Sequence, residues 1–292
     1  MTERPTLILL TGIPGSGKTT YAEEYVKSHA NTIHLSSDSI RKELYGSESA
    51  QGDPAEVFFL MQKRAIEALN DGKNVVYDAT NVTRKDRAGI IGVCPKFAYI
   101  ECHIIWAPID VCIERDDMRN RTVGKAVIDR MLKRFQAPYY DEGIHEIKIV
   151  KPTFWIGDLY EEECLSAMDA PHDNPHHTLD IGDHCLEAYR YLINKDVKDN
   201  DVLCAALSHD VGKPYTKAFV DSKGEPCEQA HFYQHHCVGA WIHYGFNLAT
   251  PRSAWLISTH MDPFLNTKYY RNLPPFLKQD IDILHEADLN AH

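Results

Sequence analysis

Two sets of residues in this chain have the types and spacing that phosphate chemistry requires. The first is the run Gly12-Ile13-Pro14-Gly15-Ser16-Gly17-Lys18-Thr19. Its glycines let the backbone wrap an anion, so that successive N–H groups and the start of a following helix face phosphate oxygens. Lys18 then reaches the terminal phosphates and the Thr19 hydroxyl can bind Mg²⁺. Gly12, Gly15, Ser16, Gly17, Lys18, Thr19 and Thr20 are therefore the expected site for ATP or another nucleoside triphosphate. The second set is dispersed: His184, His209-Asp210, His235 or its neighbour His236, His260 and Asp288. Imidazole and carboxylate without cysteine suit Mn²⁺, Fe, Co²⁺ or Ni²⁺ at least as well as Zn²⁺. Such a set suffices for one or two metals sharing a carboxylate, an arrangement that activates water against phosphorus. The first signature adds phosphate and the second removes it.

Other residues near the glycine run have two readings each. Asp38 follows an apolar run, where a carboxylate can orient and deprotonate an attacking hydroxyl or can N-cap a helix starting at Ser39. Arg41, one turn on, either holds a phosphate or is a solvated surface residue. In Asp78-Ala79-Thr80-Asn81, Asp78 is a candidate for the water shell of a bound metal, and Thr80 and Asn81 for positioning substrate. Arg115 and Arg119, four apart, share one helix face. They suit a transferring phosphate or pair with Asp116 and its neighbours.

These groups need elements to hold them. Apolar runs at 7–10, 32–35, 74–78, 98–106 and 146–150 alternate with helical patterns at 19–26, 54–69 and from 109 onward. That rhythm predicts an α/β domain, a mainly parallel sheet with helices on both faces. Beyond about residue 155 the pattern is helical, at 181–193, 199–208, 230–244, 251–259 and 274–287, with no convincing strand. Widely spaced ligands on separate helices converge only inside a helical bundle, so an all-α domain is expected. Charge divides at the same place. Residues 1–155 carry 21 basic and 21 acidic side chains, and residues 156–292 carry 10 and 21, the whole net charge of −11. The expected organisation is a domain over 1–155, a linker over 156–170 and a second domain over 171–292. A broadly basic nucleic-acid surface is excluded, so any nucleic acid is gripped locally, near an end. No run approaches the ~20 apolar residues of a membrane span, and the start lacks a leader's basic and apolar regions. With eight cysteines and no C-x-x-C pair, reduced core thiols in the cytoplasm are expected.

The run G-I-P-G-S-G-K-T, then S-S-D-S-I-R, D-A-T-N and R-D-D-M-R, resembles the kinase domain of phage-type polynucleotide 5′-kinases over most of 7–145. Related small-molecule kinases share motifs of this set; the S-x-D-x-x-R element and the arginine spacing tilt the resemblance to a polynucleotide acceptor. The resemblance implies that Lys18 holds ATP phosphates, Thr19 holds Mg²⁺ and Asp38 is the general base for a 5′-hydroxyl. It puts Arg41 on the acceptor's phosphate and makes Arg115 and Arg119 lid arginines. The strings D-H-C-L, A-A-L-S-H-D-V-G-K-P, H-F-Y-Q-H-H-C-V-G-A, I-S-T-H-M-D and A-D-L resemble the HD phosphohydrolases over roughly 172–292. There the resemblance implies a first metal on His184, His209, Asp210 and Asp288, a second completed by His235 and His260, and Lys213 on the substrate phosphate. Gln234 stands where glycine often precedes the next ligand, and of His235 and His236 the former is favoured. His177 and His231 are expected to line the pocket, whereas His172, His176, His243, His285 and His292 are read as surface or core residues. Joined, the halves resemble bifunctional end-healing enzymes. These phosphorylate 5′-hydroxyl ends of RNA or DNA and clear 3′-phosphate or 2′,3′-cyclic phosphate, ahead of a separate ligase. The alternatives are a small-molecule or nucleoside kinase joined to an HD nucleotidase, and a non-catalytic nucleotide-sensing regulator. No motif separates RNA from DNA.

Overall fold

Short apolar runs, each followed by an amphipathic stretch, settle into strands that cross over through helices. The computed structural model describes residues 4–48, 50, 52–119, 121–153, 157–174 and 178–291. The chain forms two compact units, Met1–Met131 with Pro138–Thr153 and Leu132–Ala137 with Phe154–His292.

In the first unit the order is β1 (Thr6–Thr11), α1 (Lys18–Ser28), β2 (Thr32–Ser36), α2 (Ser37–Tyr45), α3 (Pro54–Asn70), β3 (Asn74–Asp78), α4 (Arg84–Ile91), β4 (Tyr99–Ile105), α5 (Ile109–Asp117), α6 (Lys125–Leu132) and β5 (Glu146–Val150). The five strands make one sheet in the order β2-β3-β1-β4-β5, and every pairing is parallel. Ile8, Leu10, Val76 and Ile105 are buried with Ala22 of α1, as strands covered on both faces must be. Helix α4 begins at a reciprocal cap, in which Thr83 accepts from the Asp86 N–H and Asp86 accepts from the Thr83 N–H. The carboxyl ends of β1, β2 and β3 put the glycine run, Asp38 and Asp78 along one edge of the sheet. That edge, at the strand where the order reverses, is where open α/β sheets bind ligands.

The second unit contains α7 (Gly157–Ser166, within the stretch read as a linker), α8 (Ile181–Asn194), α9 (Asn200–Ser208), α10 (Lys213–Thr216), β6 (Ala218–Val220), β7 (Pro226–His231), α11 (His235–His243), α12 (Pro251–Thr259), α13 (Asp262–Leu265), α14 (Lys268–Asn272) and α15 (Pro275–Leu289). Helices α8, α9, α11, α12 and α15 enclose a core that includes Ala205, Trp241, Trp255 and Ile281, all fully buried. The unit is helical, but the polar stretch 214–230, expected to lack strands, carries the antiparallel hairpin β6–β7. Its signal is the turn, not apolar alternation: the Asp221 carboxylate accepts from the N–H groups of Lys223 and Glu225, and Gly224 takes φ 87°. All eight cysteines are free thiols. No helix among the described residues is long and apolar enough to cross a membrane.

Candidate active sites

The glycine run takes its shape from close approach. A Cβ on Gly15, at φ 80°, would lie 2.0 Å from the Cys112 carbonyl oxygen of α5, so only glycine fits. Lys18 Nζ donates to the Ile13 carbonyl at 2.9 Å. Burial lowers its proton affinity, against the opposing pull of the Asp78 carboxylate. Ser16 Oγ is buried without a hydrogen-bond partner, which fits an anion seated in the loop. Thr19 Oγ1 donates to Asp78 at 3.0 Å, so hydroxyl and carboxylate stand together as the pair that would hold Mg²⁺. His34 Nε2 lies 3.0 Å from the same carboxylate oxygen. Thr20 is exposed on the first turn of α1.

Asp38 does not cap its helix. Helix α2 starts two residues earlier than expected, and Ser36 provides the cap by accepting from the Ser39 N–H. The Asp38 carboxylate is instead half exposed, 2.7 Å from Arg41 Nη1 and 3.3 Å from Arg121 Nη1. Arg121 was not singled out in the sequence; it is 83 residues away in the chain. Arg115 lies over the glycine run and donates to the Gly15 carbonyl at 3.4 Å. Arg119, exposed just beyond α5, is near enough to oppose protonation of Lys18. Asp116 pairs with neither arginine; buried, it accepts from the N–H groups of Val123 and Gly124 at 2.9 and 2.8 Å. Thr80 offers its carbonyl to Gly12 N–H at 3.0 Å. Asn81 is buried at φ 47° and donates to the Leu10 carbonyl at 2.7 Å, so its amide is engaged in holding the end of β1.

In the second unit six side chains from five segments converge on Asp210. Its Oδ2 lies 3.7 Å from His184 Nε2, 3.5 Å from His209 Nε2 and 2.7 Å from Lys213 Nζ. Its Oδ1 lies 3.2 Å from His235 Nε2 and 4.0 Å from His260 Nε2. Asp288 Oδ1 closes the first group, 2.9 Å from His184 and 3.4 Å from His209. One carboxylate thus faces two clusters, His184–His209–Asp288 and His235–His260. The histidines all point the same way for one reason. Each Nδ1 donates to a backbone carbonyl (Ala291, Ala206, Phe232 and Ile257 for His184, His209, His235 and His260) at 2.8–3.1 Å. Nε2 is left to face the centre, as metal-ligating imidazoles do.

The cluster fits a bound cation. His235 Nε2 and His260 Nε2 face each other at 3.1 Å, although both rings already donate through Nδ1. His209 Nε2 is buried without an aligned hydrogen bond. Burial, with His235 and His209 beside it, holds His260 well below the ordinary imidazole range. Burial also lowers His209, but Cys185, Asp210 and Asp288 around it draw it well above that range. Asp210 stays ionised: burial opposes this, and Lys213, His209 and His235 outweigh it. Gly212 is required where α11 crosses, since a Cβ there would lie 2.1 Å from the His235 carbonyl oxygen. The His236 ring stands edge-on to His235 at 5.7 Å and to His260 at 6.1 Å.

His231, at the end of β7, stacks on Tyr233 with ring centres 5.3 Å apart. His177, with His176 and His292, lies outside the described residues. His243 is a core residue, bonded to Ser208 and Ser253. His172, read as surface or core, is buried beside Lys213, with its Nε2 3.0 Å from Lys213 Nζ. Its sequence signal is a His-Asp pair, His172-Asp173, in a Pro/Asp-rich loop.

Two known families match, one in the earlier and one in the later part of the chain. Residues 7–138 match the AAA domain and residues 179–287 match the HD domain. The first unit therefore carries a P-loop kinase-like fold and the second an HD domain. Similar proteins include "Transcription factor bHLH140" of Arabidopsis thaliana, 28% identical over 48% of this chain and 15% of its own length. "L-seryl-tRNA(Sec) kinase" of Methanococcus maripaludis is 26% identical over 45% of this chain and 53% of its own length. This chain thus spans about half or less of either relative. Among solved structures, a chain of the "Pnkp1/Rnl/Hen1 RNA repair complex" superposes with a TM-score of 0.42 at 22% identity, covering 46% of this chain and 45% of that one.

Proposed function

We propose that this chain repairs broken nucleic-acid ends. Its first unit transfers the γ-phosphoryl group of ATP to a 5′-hydroxyl, and its second removes a 3′-phosphate or 2′,3′-cyclic phosphate, leaving ends suited to a separate ligase. The observation that carries this reading is Asp38, an accessible carboxylate flanked by Arg41 and Arg121 on the edge that holds the glycine run. A hydroxyl beside a phosphodiester matches that trio: the carboxylate receives the hydroxyl and the guanidiniums receive the neighbouring phosphate. A relative named as a kinase of seryl-tRNA is consistent with an acceptor hydroxyl carried on RNA.

In the kinase unit Asp38 accepts a hydrogen bond from the 5′-hydroxyl and takes its proton. The 5′ oxygen–phosphorus bond forms, the bond from the γ-phosphorus to the β,γ-bridging oxygen breaks, and ADP leaves. Lys18, Arg115 and Arg119 stabilise the charge on the transferred group, and Thr19 with Asp78 would hold Mg²⁺, which would supply further neutralisation of phosphate charge. In the HD unit His184, His209, Asp210, Asp288, His235 and His260 would hold one or two divalent transition metals. Such metals supply an acidified water and a Lewis acid. Lys213 takes up a phosphate oxygen; as the oxygen of water bonds to phosphorus the phosphorus–O3′ bond breaks, and O3′ leaves as a hydroxyl carrying one of the water's protons.

One short RNA with 5′-hydroxyl and 3′-phosphate ends, given ATP, Mg²⁺ and Mn²⁺ and resolved by mass, tests both halves. Lys18→Ala is expected to lose only 5′ phosphorylation and Asp210→Ala only 3′ clearance. A second reading has its own observation. The net charge of −11 in residues 156–292 disfavours a polyanion there, and suits a free nucleotide. Turnover of mononucleotides with both RNA ends untouched would establish that reading instead.

A further inference from the structure

We infer that His172 is a positioning residue for Lys213, an inference that rests on the phosphohydrolase reading above. An ammonium has three N–H donors on a flexible stem and no preferred direction of its own. Lys213 is buried, and two of its donors have partners: Asp210 Oδ2 at 2.7 Å and His172 Nε2 at 3.0 Å. The Phe232 ring lies 5.4 Å from Nζ. With these three contacts in place the rotation of the ammonium is fixed, and its third N–H is free for a phosphate oxygen.

His172 is itself held in the tautomer this requires. Its Nδ1 donates to the Leu179 carbonyl at 2.7 Å, which leaves Nε2 as an acceptor toward lysine. Its loop is fastened on both sides. The Asp173 carbonyl accepts from the Ala230 N–H at 2.9 Å, and Asn174 donates to the Ala230 carbonyl at 3.1 Å, tying the loop to β7. Pro171 and Asp180 form a bridge that closes it just before α8. The hairpin β6–β7 thereby acquires a purpose in the site, since it anchors the loop that orients the lysine. His172 stands outside both ligand groups; its ring meets His184 edge-on at 5.8 Å.

The test compares full-length wild type, His172→Ala, His172→Gln, Lys213→Ala and the double variant. It measures 3′-phosphate hydrolysis, Co²⁺ uptake and 5′ kinase rate. His172→Ala should lower kcat for hydrolysis about 10- to 100-fold, the usual effect of removing a group that orients a site residue, with Co²⁺ uptake and kinase rate unchanged. Glutamine can donate toward Leu179 and accept from Lys213, so His172→Gln should regain most of the loss. The double variant should be no slower than Lys213→Ala, because His172 acts only through the lysine. Multiplied losses in the double variant, a wild-type kcat in His172→Ala, or loss of Co²⁺ uptake in both His172 variants would each overturn the inference. If wild type hydrolyses no phosphate ester, the phosphohydrolase reading falls. Inorganic phosphate titrated into the Co²⁺-loaded proteins then decides the inference. His172→Ala and Lys213→Ala should weaken phosphate binding by the same factor, and wild-type affinity in His172→Ala refutes the positioning role.

Discussion

In the proposed phosphohydrolase site, Asp210 is the residue that both metal positions would share. Its two oxygens face different histidine clusters, so it cannot be lost at one position and kept at the other. His260, by contrast, belongs to one cluster only. Asp210→Asn is therefore expected to empty both positions, and His260→Ala to leave one filled. Metal-to-protein ratios after gel filtration check this, with hydrolysis falling about 100-fold or more for Asp210→Asn. Full metal content in that variant would show that Asp210 is not shared. At this scale the sequence was readable wherever residue type alone limits the chemistry. Eight contiguous residues define the phosphate loop, and His209-Asp210 is one of two His-Asp pairs in the chain, set apart by the Gly212-Lys213 that follows it. It was not readable where a role comes from an encounter across the fold. Arg121 meets Asp38 over 83 residues and His172 meets Lys213 over 41, and neither spacing carries a pattern.

Among elements, the helices of the second unit bring their ligands together because they are clamped at their other ends. Asp199 caps α9 by accepting from the N–H groups of Asp201 and Val202. Arg252, in the first turn of α12, pairs with Asp199 at 2.7 Å and with Asp280 of α15 at 2.9 Å. Counting on from these three residues, about two to three helical turns lead to His209, His260 and Asp288, roughly 12–15 Å along each axis. One guanidinium thus sets the relative height of three ligand-bearing helices. Burial alone would raise the Asp199 carboxyl, but Arg252 and the capping N–H groups outweigh it and hold the carboxyl below its ordinary value. A carboxylate so lowered adds stability that is present above its unfolded pKa, about 4, and is lost as pH falls through the lower folded value. Arg252→Ala should reduce the melting temperature of the second unit at pH 7. Its deficit against wild type should shrink as pH falls from about 5 to below 3. A deficit that stays constant across that range would mean the arginine acts by packing alone. The helices of this clamp were visible from apolar periodicity, and the parallel strands from their runs. The hairpin β6–β7 was not, since a turn built on Asp221 and Gly224 needs no apolar alternation.

For the molecule as a whole, the division of charge makes a prediction that no single residue does. Residues 1–155 are neutral overall, and residues 156–292 carry the entire −11. A kinase that grips an end through Arg41, Arg121 and little else releases only two or three counterions. Between 50 and 200 mM salt its affinity for a single strand should fall roughly tenfold, against the 10³- to 10⁵-fold of a protein contacting six to ten phosphates. The HD half carries a net negative field. A polyanionic strand approaching it is repelled, and salt screens that repulsion over about 10 Å. Raising salt should thus weaken the KM for 5′ phosphorylation and improve the KM for 3′ clearance, on one oligonucleotide and one preparation. Two activities that move together would show that local side chains at the second site override the charge of the unit around it. A steep kinase slope would mean that the strand is followed along its length, not held at its end. Oligonucleotides of two and of ten or more residues separate these cases, because an end-gripping site treats both alike once the terminal phosphodiester is present.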